Sequence, residues 1–131
     1  MDSSVVVAAL ASWHEAHEIA RREAHGQFVP AHALVESYAV LTRLPPPRRV
    51  GGATAQTLLA TWFPPSRVLH PRRGSVGTFL TRMAGAGVSG GAAYDALVGL
   101  TAAGHGHVLL TRDRRAEPTY QRLGIEYRFV D

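Results

Sequence analysis

Four short apolar segments, Phe28–Pro30, Arg67–His70, His107–Thr111 and Glu126–Val130, are separated by stretches whose apolar residues recur at helical spacing. This alternation is the strongest constraint on the fold. A helix between two strands returns the chain to the same end of the sheet, so the strands run parallel and the helices cover both faces. The sequence therefore predicts an α/β chain of three layers, α/β/α, around a mostly parallel central sheet.

The helical stretches have readable ends. Val5–Ala11 and His14–His25 come first, and Gly26 closes the second. Ala31–Leu44 follows, with Leu34, Val35, Tyr38, Val40 and Leu41 at its apolar positions, and Pro45–Pro47 stops it. A helix from Gly51-Gly52 to about Phe63 turns Leu58, Leu59 and Trp62 inward. Ser75–Ala86, Ala92–Ala103 and Arg114–Leu123 complete the set, with Gly104 and Gly124 after the last two. Trp13, Trp62 and Tyr38 read as core residues. At 131 residues the chain has the length of a single domain, 1–131, with one core.

Composition excludes several chemistries. There is no cysteine, which removes a disulfide scaffold, a thiolate zinc site, a Cys nucleophile and a redox pair. The longest apolar run near the start, Val5–Ala11, is too short to span a bilayer, and Asp2 stands where a signal peptide would be basic. The expectation is a cytoplasmic protein with no membrane contact. All 14 basic residues are arginine, against 10 acids, for a net charge of +4. Arginine binds phosphate in a bidentate fork, which points to a polyanionic partner; a GC-rich coding sequence would produce the same bias.

Four acids occupy special places. Asp2 and Asp113 stand at junctions leading into helices, where the carboxyl ends of parallel strands line a ligand crevice. Glu36 and Asp95 lie among apolar residues within helices, where a carboxylate is costly unless paired or bound to a metal. Gathered together, four carboxylates repel one another, and a hard divalent cation, Mg²⁺ or Mn²⁺, removes the conflict. Taken singly, Asp2 and Asp113 also read as helix N-caps, and Glu36 and Asp95 as partners of arginines. Arg112, Arg114 and Arg115 surround Asp113 and are placed either to grip a phosphate backbone or to solvate a helix start. Arg43, Arg48 and Arg49 form a candidate second rim, as do Arg72 and Arg73. His14 and His17 are three apart, lack a third ligand for zinc and read as exposed on a polar helix face.

The opening Asp2-Ser3-Ser4-Val5 resembles the Asp-Thr-Ser start of PIN-domain ribonucleases. Val29–Leu44 (VPAHALVESYAVLTRL), GGAAYDALVGLTAAG and HVLLTRDRRAEPTYQRLGIEY resemble the remaining acid segments of the VapC toxins of type II VapBC toxin–antitoxin pairs. The resemblance covers nearly the whole chain. It implies a PIN fold and a Mg²⁺- or Mn²⁺-dependent endoribonuclease that cuts RNA, in a tRNA or rRNA loop, to inhibit translation. It also implies a cognate VapB-like antitoxin and a homodimer. By position, Asp2, Glu36, Asp95 and Asp113 match the family's catalytic, metal-binding acids. Ser4 and Thr111 match supporting hydroxyls. One departure stands out. Family members carry an apolar strand before the first acid, whereas here only Met1 does, so the first strand is truncated; an upstream start codon is the expected explanation.

Two other readings remain open. One is a catalytically weak PIN-like module that binds antitoxin or RNA without cleavage, which the truncated strand favours. The other is a flavodoxin-like domain using the acids and Mg²⁺ for phosphoryl chemistry, against which stands the missing Gly-rich phosphate loop.

Overall fold

A computed structural model describes residues 1–131. Its elements follow the predicted alternation. They are α1 (Ser3–Leu10), α2 (His17–Ala24), β1 (Val29–Pro30), α3 (Ala31–Arg43), α4 (Gly52–Trp62), β2 (Val68–Leu69), α5 (Ser75–Gly85), α6 (Ala92–Gly104), β3 (Leu109–Thr111), α7 (Glu117–Arg122) and β4 (Tyr127–Phe129).

The sheet differs from the expected continuous one. It consists of two parallel ladders, β1 with β2 (Val29 opposite Val68) and β3 with β4 (Leu109 opposite Tyr127). Between them lie Met1 and Asp2. The Met1 ammonium donates to Phe28 O at 3.0 Å and the Asp2 amide donates to Leu110 O at 2.9 Å. Two residues before a helix give one bond to each side and no ladder of their own, so they bridge the halves without forming a strand.

Helix α1 is the centre of the core. Val5 to Ala9 are all buried, so the helix is apolar around its whole circumference, as a helix enclosed by others must be. It packs on α2, α3 and β3, while α6 packs on α3, α5, α7, β1 and β3. Each fully buried valine or leucine here contributes roughly 1.5–3 kcal/mol. The break between α1 and α2 at Ala11–Ala16 turns the chain back over α1, and Gly26 after α2 takes φ +75°, open to glycine without strain.

Three local expectations are corrected. Helix α3 buries Ala33, Ser37 and Leu41, a narrow stripe one turn apart, whereas Val35 is 65% and Tyr38 41% exposed. Ser37 is tolerated inside because its hydroxyl donates to Ala33 O at 2.7 Å. Trp13, expected in the core, is 40% exposed, with the Arg48 guanidinium 4.4 Å above its ring. Helix α7 begins at Glu117 rather than Arg114, because Pro118 has no N–H to offer the Arg114 carbonyl. Arg114–Ala116 form a turn instead.

Gly99 in α6 is where the helix meets the α7–β4 side most closely. A Cβ there would stand 2.6 Å from Ile125 Cδ1 and 3.3 Å from Tyr120 Cδ1. Gly99→Val is expected to destabilise the chain by about 2 kcal/mol through overpacking, read from urea denaturation midpoints. An unchanged midpoint would show that α6 and α7 are not so tightly opposed.

Candidate functional site

Asp2 is the N-cap of α1. Its Oδ1 accepts from the Ser4 amide at 3.0 Å, the Val5 amide at 3.4 Å and the Ser4 hydroxyl. Its Oδ2 accepts from the Thr111 hydroxyl, at the end of β3, and from the Tyr120 hydroxyl, on α7, at 3.3 Å. The carboxylate is only 6% exposed, and its roughly four lone-pair positions are fully claimed. Ser4 and Thr111 extend the network to the fourth acid. The Arg112 amide donates to Ser4 Oγ at 2.8 Å and the Asp113 amide to Thr111 Oγ1 at 3.0 Å. The Tyr120 phenol, buried and beside Asp2, is held protonated well above the ordinary tyrosine range.

Asp113 is not a helix cap. Its Oδ1 accepts from the Arg115 amide at 2.9 Å, within the turn before α7, and lies 3.4 Å from Arg115 Nε. Glu36 projects from α3. Its Oε2 accepts from the Ser3 hydroxyl at 3.2 Å. Its Oε1 is buried with no hydrogen-bond partner, although His32 Nε2 stands 3.0 Å away, one turn earlier on α3. The His32 ring is stacked on Tyr94 at 5.2 Å, which holds it there.

Asp95, in the first turn of α6, has no ion-pair partner. Burial first, then the charges of Asp113, Glu36 and Asp2, push its pKa from an ordinary 3.8 to about 6. The four acids from four separate parts of the chain thus share one electrostatic environment. As the side chains stand, no three acidic or imidazole groups are arranged to enclose a cation.

Glu36 and Asp113 open onto a cleft of about 490 Å³, lined also by Ser3, Ser4, His14, Glu15, Arg43, Arg112 and Arg115. Of the three arginines expected around Asp113, two reach this cleft. Arg112 is anchored, its guanidinium donating to Val130 O. Arg114 turns elsewhere, paired with Asp131 at 3.1 Å and lying 4.1 Å over the Phe129 ring. Arg43, at the end of α3, takes its place on the opposite wall. The sequence reading set His14 and His17 on an exposed polar helix face, but His14 lies in the turn before α2 and lines the cleft. His17 is half-buried, its Nδ1 3.1 Å from Ala8 O. Tyr120 was missed altogether; no local signal marks a tyrosine 118 residues from the acid it serves.

Parallel ladders flanked by helices, with Glu36 and Asp113 opening onto a cleft, define an α/β domain of nuclease type, and residues 1–121 match the PIN domain family. The chain belongs to the PIN-domain family. It is 47% identical over 130 residues to "Ribonuclease VapC40" of Mycobacterium tuberculosis (H37Rv and CDC 1551 strains), covering 98% of this chain and 96% of that one. It is 40% identical over 131 residues to "Ribonuclease VapC27" of Mycobacterium tuberculosis (strain H37Rv), covering 95% and 91%. No helix is long and apolar enough to cross a membrane.

The sign of the Asp95 effect gives a test. Its pKa is higher in the folded chain than in the unfolded one, so its ionisation opposes folding. The penalty is absent below about pH 4, grows as pH rises towards 6 and is complete above it. In chelator, Asp95→Asn is expected to raise Tm by a few degrees at pH 7.5 and to leave it unchanged at pH 4. Equal melting temperatures for the two proteins at pH 7.5 would contradict the shared environment.

Proposed function

We propose that the chain is the toxin of a type II toxin–antitoxin pair, a metal-dependent endoribonuclease that cuts RNA, in a tRNA or rRNA loop, in the cytoplasm. The reading rests above all on the Asp95 carboxyl, whose ionisation is opposed first by its burial and then by three other acids that only the fold assembles. Asp2, Glu36, Asp95 and Asp113 would hold one or two Mg²⁺ or Mn²⁺ ions, Asp2 by exchanging one of its present hydrogen bonds for the ion. The donor set suits a hard cation: every group is a carboxylate, one buried oxygen of Glu36 has no hydrogen-bond partner, and Asp95 forms no ion pair. When bound, a divalent cation supplies Lewis-acid activation of water and neutralises the charge developing on the phosphodiester oxygens.

The chain's own residues do the rest. Ser4, Thr111 and Tyr120 orient Asp2, and through Thr111 they position the Asp113 backbone. Arg43, Arg112 and Arg115 on the cleft walls attract and align the RNA backbone. A single strand or loop reaches such a cleft more readily than a duplex. The names of the relatives support a VapB-like antitoxin as partner, and the same resemblance supports a homodimer of single PIN domains, each 1–131.

A second reading, a module that binds RNA or antitoxin without cutting, is favoured by the buried, fully hydrogen-bonded state of Asp2. Incubation with total RNA, with and without Mg²⁺ or Mn²⁺, separates the two. Cleavage at discrete mapped ends is expected only with metal. Asp95→Asn is expected to lower it by about a hundredfold or more while the far-UV spectrum is unchanged. Intact RNA under all metal conditions would favour the second reading.

A further inference from the structure

The Trp13-His14-Glu15-Ala16-His17 segment attracts attention as a metal-like sequence, yet none of the proposed chemistry uses it. In the fold it forms the turn between α1 and α2, and His14 and Glu15 enter the wall of the acid cleft. His14 makes one hydrogen bond: the Ala16 backbone N–H donates to its Nδ1 at 3.1 Å. A backbone amide can only donate, so Nδ1 carries a lone pair and the ring proton resides on Nε2. The turn therefore selects one tautomer, and the nitrogen left without a protein partner is a donor.

A ring that accepts at Nδ1 carries one proton and is neutral, and burial first, then the Arg112 charge, lower its pKa in the same direction. A neutral imidazole with its proton on Nε2 and its other nitrogen occupied has no free lone pair with which to act as a base. It can donate a hydrogen bond. The same cleft carries Arg43, Arg112 and Arg115, whose shared complement is an anionic oxygen.

We propose that His14 is a substrate-binding residue of the cleft, presenting Nε2–H as a neutral donor to a non-bridging phosphate oxygen of the bound RNA strand. This rests on the ribonuclease reading above. His14 fixes the strand within the cleft without adding a charge to the arginine set, and the turn through Ala16 N–H holds its donor in place before RNA arrives.

The test uses the full chain and a 5′-fluorescein-labelled single-stranded oligoribonucleotide of mixed sequence. Binding is read by anisotropy in chelator, and cleavage of total RNA is followed separately with Mg²⁺ or Mn²⁺. His14→Ala is expected to weaken binding about tenfold, raising KM by a similar factor with kcat little changed. His14→Gln, which keeps an N–H donor near the Nε2 position, is expected to recover most of the loss. The slope of log affinity against log salt is expected to be the same for wild type and His14→Ala, because a neutral donor releases no counterion. Arg43→Ala is expected to reduce it by about 0.7.

Wild-type affinity in a folded His14→Ala protein would overturn the proposal. So would a salt slope reduced in His14→Ala as in Arg43→Ala, which would make the ring a cation, or a loss confined to kcat and not recovered by Gln, which would make it an acid or base. If wild type neither binds the probe nor cleaves total RNA, the ribonuclease reading itself has failed, and that result is distinct from a His14 variant that matches an active wild type.

Discussion

The Asp2 carboxylate is the contact on which the rest of the site depends. It caps α1, accepts from the end of β3 through Thr111 and from α7 through Tyr120. Three elements distant in sequence meet at one buried charge. Bonds to a buried carboxylate are worth roughly 1.5–3 kcal/mol each, and the unmade bond is costlier still, so the elements cannot drift apart independently. The Asp2 backbone N–H donates to Leu110 O of β3, which sets the residue between the two parallel ladders. The closeness of the other acids follows, since Asp113 is two residues past Thr111 and α6 packs on β3 and α7.

The charge of the chain has two functions that composition alone merges. Many arginines are structural. Arg82 donates to Leu123 O, Arg72 to Gly104 O and Arg49 to Leu44 O, while Arg128 pairs with Glu23 at 2.7 Å and holds that carboxyl below its ordinary range. The planar fork that suits phosphate also suits carbonyls left open at helix ends. Three arginines, Arg43, Arg112 and Arg115, line the acid cleft, and Arg112 is at the same time anchored to Val130 O. Part of the basic character thus serves to tie down helix ends and loops, and part of it lines the acid cleft.

Much of the fold was legible because it is written in local patterns. The alternation of strands and helices, the helix stops at Pro45 and Gly26, and the acids at Asp2, Glu36, Asp95 and Asp113 all stand in short segments. The misreadings share a cause. On α3, an apolar count put Val35 and Tyr38 inside, but the neighbours α1 and α6 accept only the small stripe of Ala33 and Ser37 with Leu41. Arg114 was grouped with Arg112 and Arg115 by adjacency, yet Phe129 and Asp131, from the far end of the chain, draw it away. His14 was set on a solvated face because the turn that carries it into the cleft is made by α1 and α2 packing together.

The sequence by itself determined the class of fold and pointed to four acids in unusual places; the hydroxyls beside the first and last of them came from the family resemblance. Periodicity, chain breakers and residue type act over a few residues and need no partner. Only the tertiary structure decided which of these groups share a field, which arginines face the cleft, that Tyr120 bonds Asp2 and that His14 lines the cleft. Those relations depend on long-range packing, in which a side chain's role is set by what the rest of the chain brings against it.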